Sequence, residues 1–203
     1  MTLKSLQVDA TWVRRLVALA GRGWDRSELE DVFLRHGWAR LGAGGRPEIA
    51  WGGGAASPHD IDGGGEGGIG WRLELGDPPG KGAEDAYVRL SCALFWPAFG
   101  EEPQDAEHTE DEEDDLDGDY GPAWIRRPGA TRADFHAEYD RLGALIRAEL
   151  GEPDRTTSAD MDEYGEIWNR DTGEVVLQRT DDINSYSHYD VIALRVGIVQ
   201  HPR

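Results

Sequence analysis

The chain has 203 residues, enough for one large domain or two small ones with a genuine core. A mean hydropathy of −0.61 and 38% hydrophobic residues make a wet composition, yet eight tryptophans and clearly periodic segments exclude wholesale disorder. The net charge of −19 disfavours a nucleic-acid ligand, whose phosphates need Lys and Arg partners, and disfavours an anionic membrane surface for the same reason.

Residues 10–20 place Trp12, Val13, Leu16, Val17 and Ala20 at helical spacing, with Asp9 as N-cap and Gly21 and Gly23 as a stop. Asp25 caps a second helix, and Glu28 three residues on gives a capping-box arrangement. Leu29, Val32, Phe33 and His36 form its stripe, and Gly37 ends it. A strand is expected near 47–51, and then a flexible loop over 52–68 with eight glycines. Ile69, Trp71, Leu73 and Leu75 alternate as in a half-buried strand. After the turn at Pro78, Pro79 and Gly80, residues 86–96 read as a longer strand with Val88, Leu90, Cys92, Leu94 and Trp96 on one face. The stretch 97–130 has no periodicity and reads as an acidic, flexible insertion. Thr131 caps the longest helix, with Phe135, Tyr139, Leu142, Leu145, Ile146 and Leu150 in its stripe, Gly151 past its end and Pro153 preventing continuation. A hairpin follows, with strands at 166–169 and 175–179 joined by a turn over Arg170–Gly173. The last strand spans 189–199, with Ile192, Leu194, Val196 and Ile198 on one face.

These elements predict a single α+β domain over 1–203, an antiparallel sheet covered by helices on one side. Helix followed by three strands occurs twice, which suggests a duplicated α-β-β-β unit, although such units are common enough to recur by chance.

The stretch from Leu19 to Leu29, with His36, Gly37 and Trp38, resembles the opening of a family of uncharacterised actinobacterial, Streptomyces-type proteins. There a helix leads into a Trp-containing turn and a second helix ends in Gly-Trp. Phe135, Leu142, the run Glu149–Pro153, Trp168 and Val175–Leu177 resemble its later part. Similar proteins occur among the immunity proteins of polymorphic toxin systems. The resemblance therefore implies a binding role, and it names no functional residue.

Several motifs touch on chemistry, each beside a plainer reading. Gly63–Gly68 matches G-x-G-x-x-G, but a phosphate cradle needs a helix after it and a strand follows here, so a flexible loop is the better reading. Glu113, Asp115, Asp117 and Gly118 echo a calcium loop, but the twelfth position is Trp124 or Arg126 instead of a carboxylate. His59, Asp60 and Asp62 lie in the glycine-rich loop rather than on a rigid helix with converging ligands. Ser185, Ser187, His188 and Asp190 have hydrolase-triad residue types, yet four residues of one extended segment cannot converge as a triad does. Cys92 sits among core residues and reads as a small buried apolar side chain. Trp12, Trp71 and Trp168 read as core. No catalytic residue, metal site or cofactor is expected.

The strong anomaly is residues 101–119, with twelve Asp or Glu and no Lys or Arg; without those twelve the chain's balance is −7. The plainer reading is a solvated loop. The functional one is a surface that imitates nucleic-acid charge density and steers a basic partner, such as a toxin domain, into contact. Its candidate residues are Glu110, Asp111, Glu112, Glu113, Asp114, Asp115, Asp117 and Asp119, with Trp96 and Trp124 as flanking anchors. The expected function is therefore a non-catalytic binding protein, an immunity protein among the options. The alternatives are a hydrolase-like enzyme whose site assembles only in the fold, and a self-associating structural protein. A lone cysteine and the absence of a signal-like N-terminus or an 18-residue apolar run point to the cytoplasm.

Overall fold

The fold is that of a computed structural model, which describes residues 1–22, 24–39, 41–42, 44–45, 61–62, 72–76, 86–96, 124–159, 163–181 and 189–198. Among these described residues nine strands form one antiparallel sheet: β1 (Thr2–Leu6), β2 (Ile61–Asp62), β3 (Arg72–Leu75), β4 (Tyr87–Trp96), β5 (Trp124–Pro128), β6 (Arg155–Ala159), β7 (Glu163–Asn169), β8 (Glu174–Asp181) and β9 (Asp190–Gly197). The helices are α1 (Ala10–Val17), which tightens into a 3-10 turn over Ala18–Gly21, α2 (Arg26–His36) and α3 (Arg132–Leu150). None is long and apolar enough among the described residues to cross a membrane.

The main path runs β2-β3-β4-β9-β8-β7-β6. The ten-residue β4 organises it. One edge pairs with β9, while the other is shared, its first half by β3 and its second half by β1, which in turn pairs with β5. Two helix-then-meander halves thus meet at β4–β9. The second meander has four strands where three were expected, because β6 was not anticipated.

Helical residues cover one face. Val13, Leu16, Leu29, Phe33, Phe135, Leu142 and Ile146 share a core with Leu3, Val88, Leu90, Phe95, Val175, Leu177, Ile192, Leu194 and Val196. Three caps hold as the sequence predicts. Asp9 accepts from the Trp12 amide at 2.8 Å. Thr131 and Asp134 form a reciprocal capping box on α3. Gly37 closes α2 in the left-handed region at φ +71°, where a side chain would be strained.

Other expectations need correcting. Asp25 does cap α2, but the box is absent: Asp25 accepts from the Ser27 amide at 2.9 Å, and Glu28 turns to Arg22 at 3.8 Å. The 97–130 stretch contains β5 and the 52–68 stretch contains β2, both short strands that exist by pairing with a neighbour rather than by their own periodicity. β1 was likewise not anticipated. The expected strand at 47–51 and Trp71 lie outside the described residues.

The most consequential correction is in β4. Ser91 pairs with Ala193, but Ala93 pairs with Ile192, so Cys92 is the extra residue of a bulge. The bulge shifts the alternation by one. Val88 and Leu90 face the helices, as does Phe95, while Leu94 and Trp96 turn to the opposite face.

Candidate functional site

The bulge builds a second, small apolar cluster on the face away from the helices. Leu94, Val191 and Ala193 are its buried members, and Trp96, Trp124 and Tyr189 pack against it partly exposed. Trp96 and Tyr189 lie 5.2 Å apart between ring centroids. Trp96 and Trp124, the two candidate anchors, therefore do come together on one cluster, as the last residue of β4 and the first of β5. Glu110, Asp111, Glu112, Glu113, Asp114, Asp115, Asp117 and Asp119 lie outside the described residues, as does the rest of 101–119.

The same face is rich in cations. Lys4 pairs in register with Leu94 and with Arg126, and Arg89 pairs with Arg195. Adjacent like charges repel, and one buried carboxylate answers part of this. Glu174, 4% exposed, meets Arg195 at 3.2 Å and Arg155 at 3.5 Å. The Arg195 guanidinium also lies 5.1 Å from the Tyr87 ring centroid. Removing Glu174 would leave two cations without their shared counter-charge.

The other sequence candidates separate. Asp190 is buried on the helix-covered face and ion-paired with Arg132, whose guanidinium lies 4.9 Å from the Phe95 ring centroid. It is a structural tie between α3 and β9, and its would-be triad companions Ser185, Ser187 and His188 lie outside the described residues. So do His59, Asp60 and the Gly63–Gly68 motif. Cys92 is fully buried, its thiol donating to the Leu90 carbonyl at 3.4 Å, and burial pushes the thiol up to about 12. It is not a nucleophile at neutral pH. Among the described residues no group of three or more His, Cys, Asp or Glu is placed to hold a metal.

Sequence reading missed how the 170–173 turn is used. Thr172 Oγ1 lies 2.6 Å from the Arg22 carbonyl and 2.9 Å from the Ala20 carbonyl, so the turn docks on the end of α1. Trp168, fully buried, donates its indole N–H to the Gly151 carbonyl at 2.8 Å, and Arg170 donates to Leu150 at 3.0 Å. The end of α3 is thereby capped by the same hairpin.

No family model matches the sequence, and no curated protein matches it. Among solved structures, the chain is similar to a DUF4309 family protein (YjgB) from Bacillus subtilis, at 13% identity and a TM-score of 0.34, over 94% of this chain and 97% of that one. A likeness at that level carries no weight for fold or function.

Proposed function

We propose that the chain is a non-catalytic binding protein for a basic protein partner. The observation behind this reading is the run of twelve carboxylates without a Lys or Arg, inserted between two tryptophans that pack on one partly exposed cluster. Charge of that density speeds encounter with a basic surface, and half-exposed aromatic rings are the residue type that anchors interfaces. The narrower form, an immunity protein that occludes a toxin, rests on the resemblance at 19–38 and 135–177 alone.

The test compares the wild-type chain with a variant carrying Asn for Asp and Gln for Glu at all twelve acidic positions of 101–119, against a strongly basic probe protein such as a protamine. Association at low salt should slow by roughly tenfold or more, and the difference should vanish at high salt. Equal rates at low salt would remove the reading.

A further inference from the structure

We infer that Arg179 and Tyr164, on the helix-covered face, form a binding site for an oxyanion, a carboxylate or phosphate group of a small ligand. The site lies across the sheet from the Trp96–Trp124 cluster and is independent of the acidic stretch.

Three elements set its geometry. Tyr164 of β7 stands directly opposite Arg179 of β8 in the register. Tyr139 of α3 is fixed by its hydroxyl, which donates to the Leu177 carbonyl at 3.2 Å, two residues before Arg179 on the same face. The two tyrosine rings meet edge to face at 5.6 Å and 67°. The Arg179 guanidinium lies 5.6 Å from the Tyr139 centroid and 5.8 Å from that of Tyr164. Cation–π attraction to two rings holds the guanidinium in place.

What the rings cannot do is accept its N–H bonds. A guanidinium carries five donors in a planar fork. Arg179 has no carboxylate partner among the described residues, although an acid stands nearby. Glu166, 4% exposed, is two residues from Tyr164 on the same face, but it is ion-paired with Arg147 of α3. Arg147 thus takes the local negative charge, and Arg179 keeps its own. Tyr164 is half-buried, packs on the core by its ring, and makes no hydrogen bond through its hydroxyl to a described residue. A fixed, half-exposed fork beside a phenolic O–H suits an oxyanion, which takes two parallel bonds from arginine and a third from the hydroxyl.

The experiment titrates the full chain with sodium phosphate and, separately, sodium acetate at constant ionic strength, following the Arg179 Nε–Hε resonance by NMR. Saturable shifts with a dissociation constant of roughly 1 mM are expected for at least one anion. Saturation by phosphate alone or by acetate alone assigns the class. Tyr164→Phe keeps the ring and should weaken binding by about tenfold, the worth of one hydrogen bond to a charged group. Arg179→Gln, read by the amide resonances of Tyr164 and Leu177, should abolish it, while Arg155→Gln on the opposite face should leave it unchanged. Arg179→Lys guards against misfolding of the glutamine variant, and it should bind weakly because the fork is lost. Linear shifts with both anions, or the same affinity in wild type and Arg179→Gln, overturn the site.

Discussion

Leu94 and Phe95 are consecutive, and they belong to two different worlds. Phe95 stacks on Phe135 at 5.4 Å within the large core that joins all three helices to the sheet. Leu94 belongs to a cluster of three buried residues edged by two tryptophans and a tyrosine. On one face the polar groups are ties: Arg132 with Asp190, Arg147 with Glu166, and Arg141 reaching from Glu138 to the Val8 carbonyl at 2.9 Å. On the other, Glu174 is shared between Arg155 and Arg195 of two different strands. A sheet stabilised from one side leaves its second side free to vary, and recognition surfaces tend to arise where stability does not depend on every residue.

The sharpest way to break that comparison is to truncate one residue on each face. Phe135→Ala removes a fully buried ring from the helix side and should cost about 3–5 kcal/mol in a denaturant titration. Leu94→Ala, in the small cluster, should fall near the low end of the range for such changes, about 2 kcal/mol, because half-exposed neighbours can settle into the space. Equal losses would mean that the second cluster is as much a core as the first.

The docked turn offers a smaller, steric test. A Cβ at Gly173 would lie 2.7 Å from the Gly197 carbonyl oxygen and 2.8 Å from Trp24 Nε1. Gly173→Ala must therefore push the hairpin off β9 or off the end of α1, at a cost of about 1–3 kcal/mol. Chemical denaturation measures it, and a neutral result would show that the turn is not held where Thr172 places it.

That glycine also shows what a one-dimensional pattern can and cannot convey. Gly173 was legible as a turn residue, but the demand on it comes from Gly197 and Trp24, distant in the chain. The helices were legible because each carries its own stripe and its own cap, as with Thr131 and Asp134 on α3. β1 and β5 were not, since Thr2–Leu6 and Trp124–Pro128 become strands by lying beside β4 and beside each other. The β4 faces were misread for a single reason: alternation counts residues and a bulge adds one, which no local signal at Cys92 announces. For the candidate site, Trp96 and Trp124 were singled out by their position flanking the acidic run, and both pack on one cluster. Arg179 and Tyr164 were not, because the expected first strand of the hairpin began at 166, two residues short of Tyr164, and left Arg179 without a cross-strand neighbour.

The smallest effect expected is a titration on α2. His36 sits 5.0 Å from the Trp38 ring, and burial, followed by the charges of Arg15, Arg35 and Arg22, holds its imidazole below the ordinary value of 6.5. Trp38 in turn stacks on Trp12 at 5.5 Å, tying α2 to α1. Because the folded state binds this proton less readily than the unfolded chain, the stability it contributes is whole above 6.5 and declines as pH falls below it. The decline stops once the pH is low enough for the folded form to be protonated too. Thermal midpoints of wild type and His36→Gln, compared between about pH 8 and pH 5, isolate that contribution from the carboxylates, which both proteins share. The wild type should lose ground to the variant as the solution is acidified; a constant difference across the window would mean that neither the burial of His36 nor the three arginines disfavour its protonated form in the folded chain.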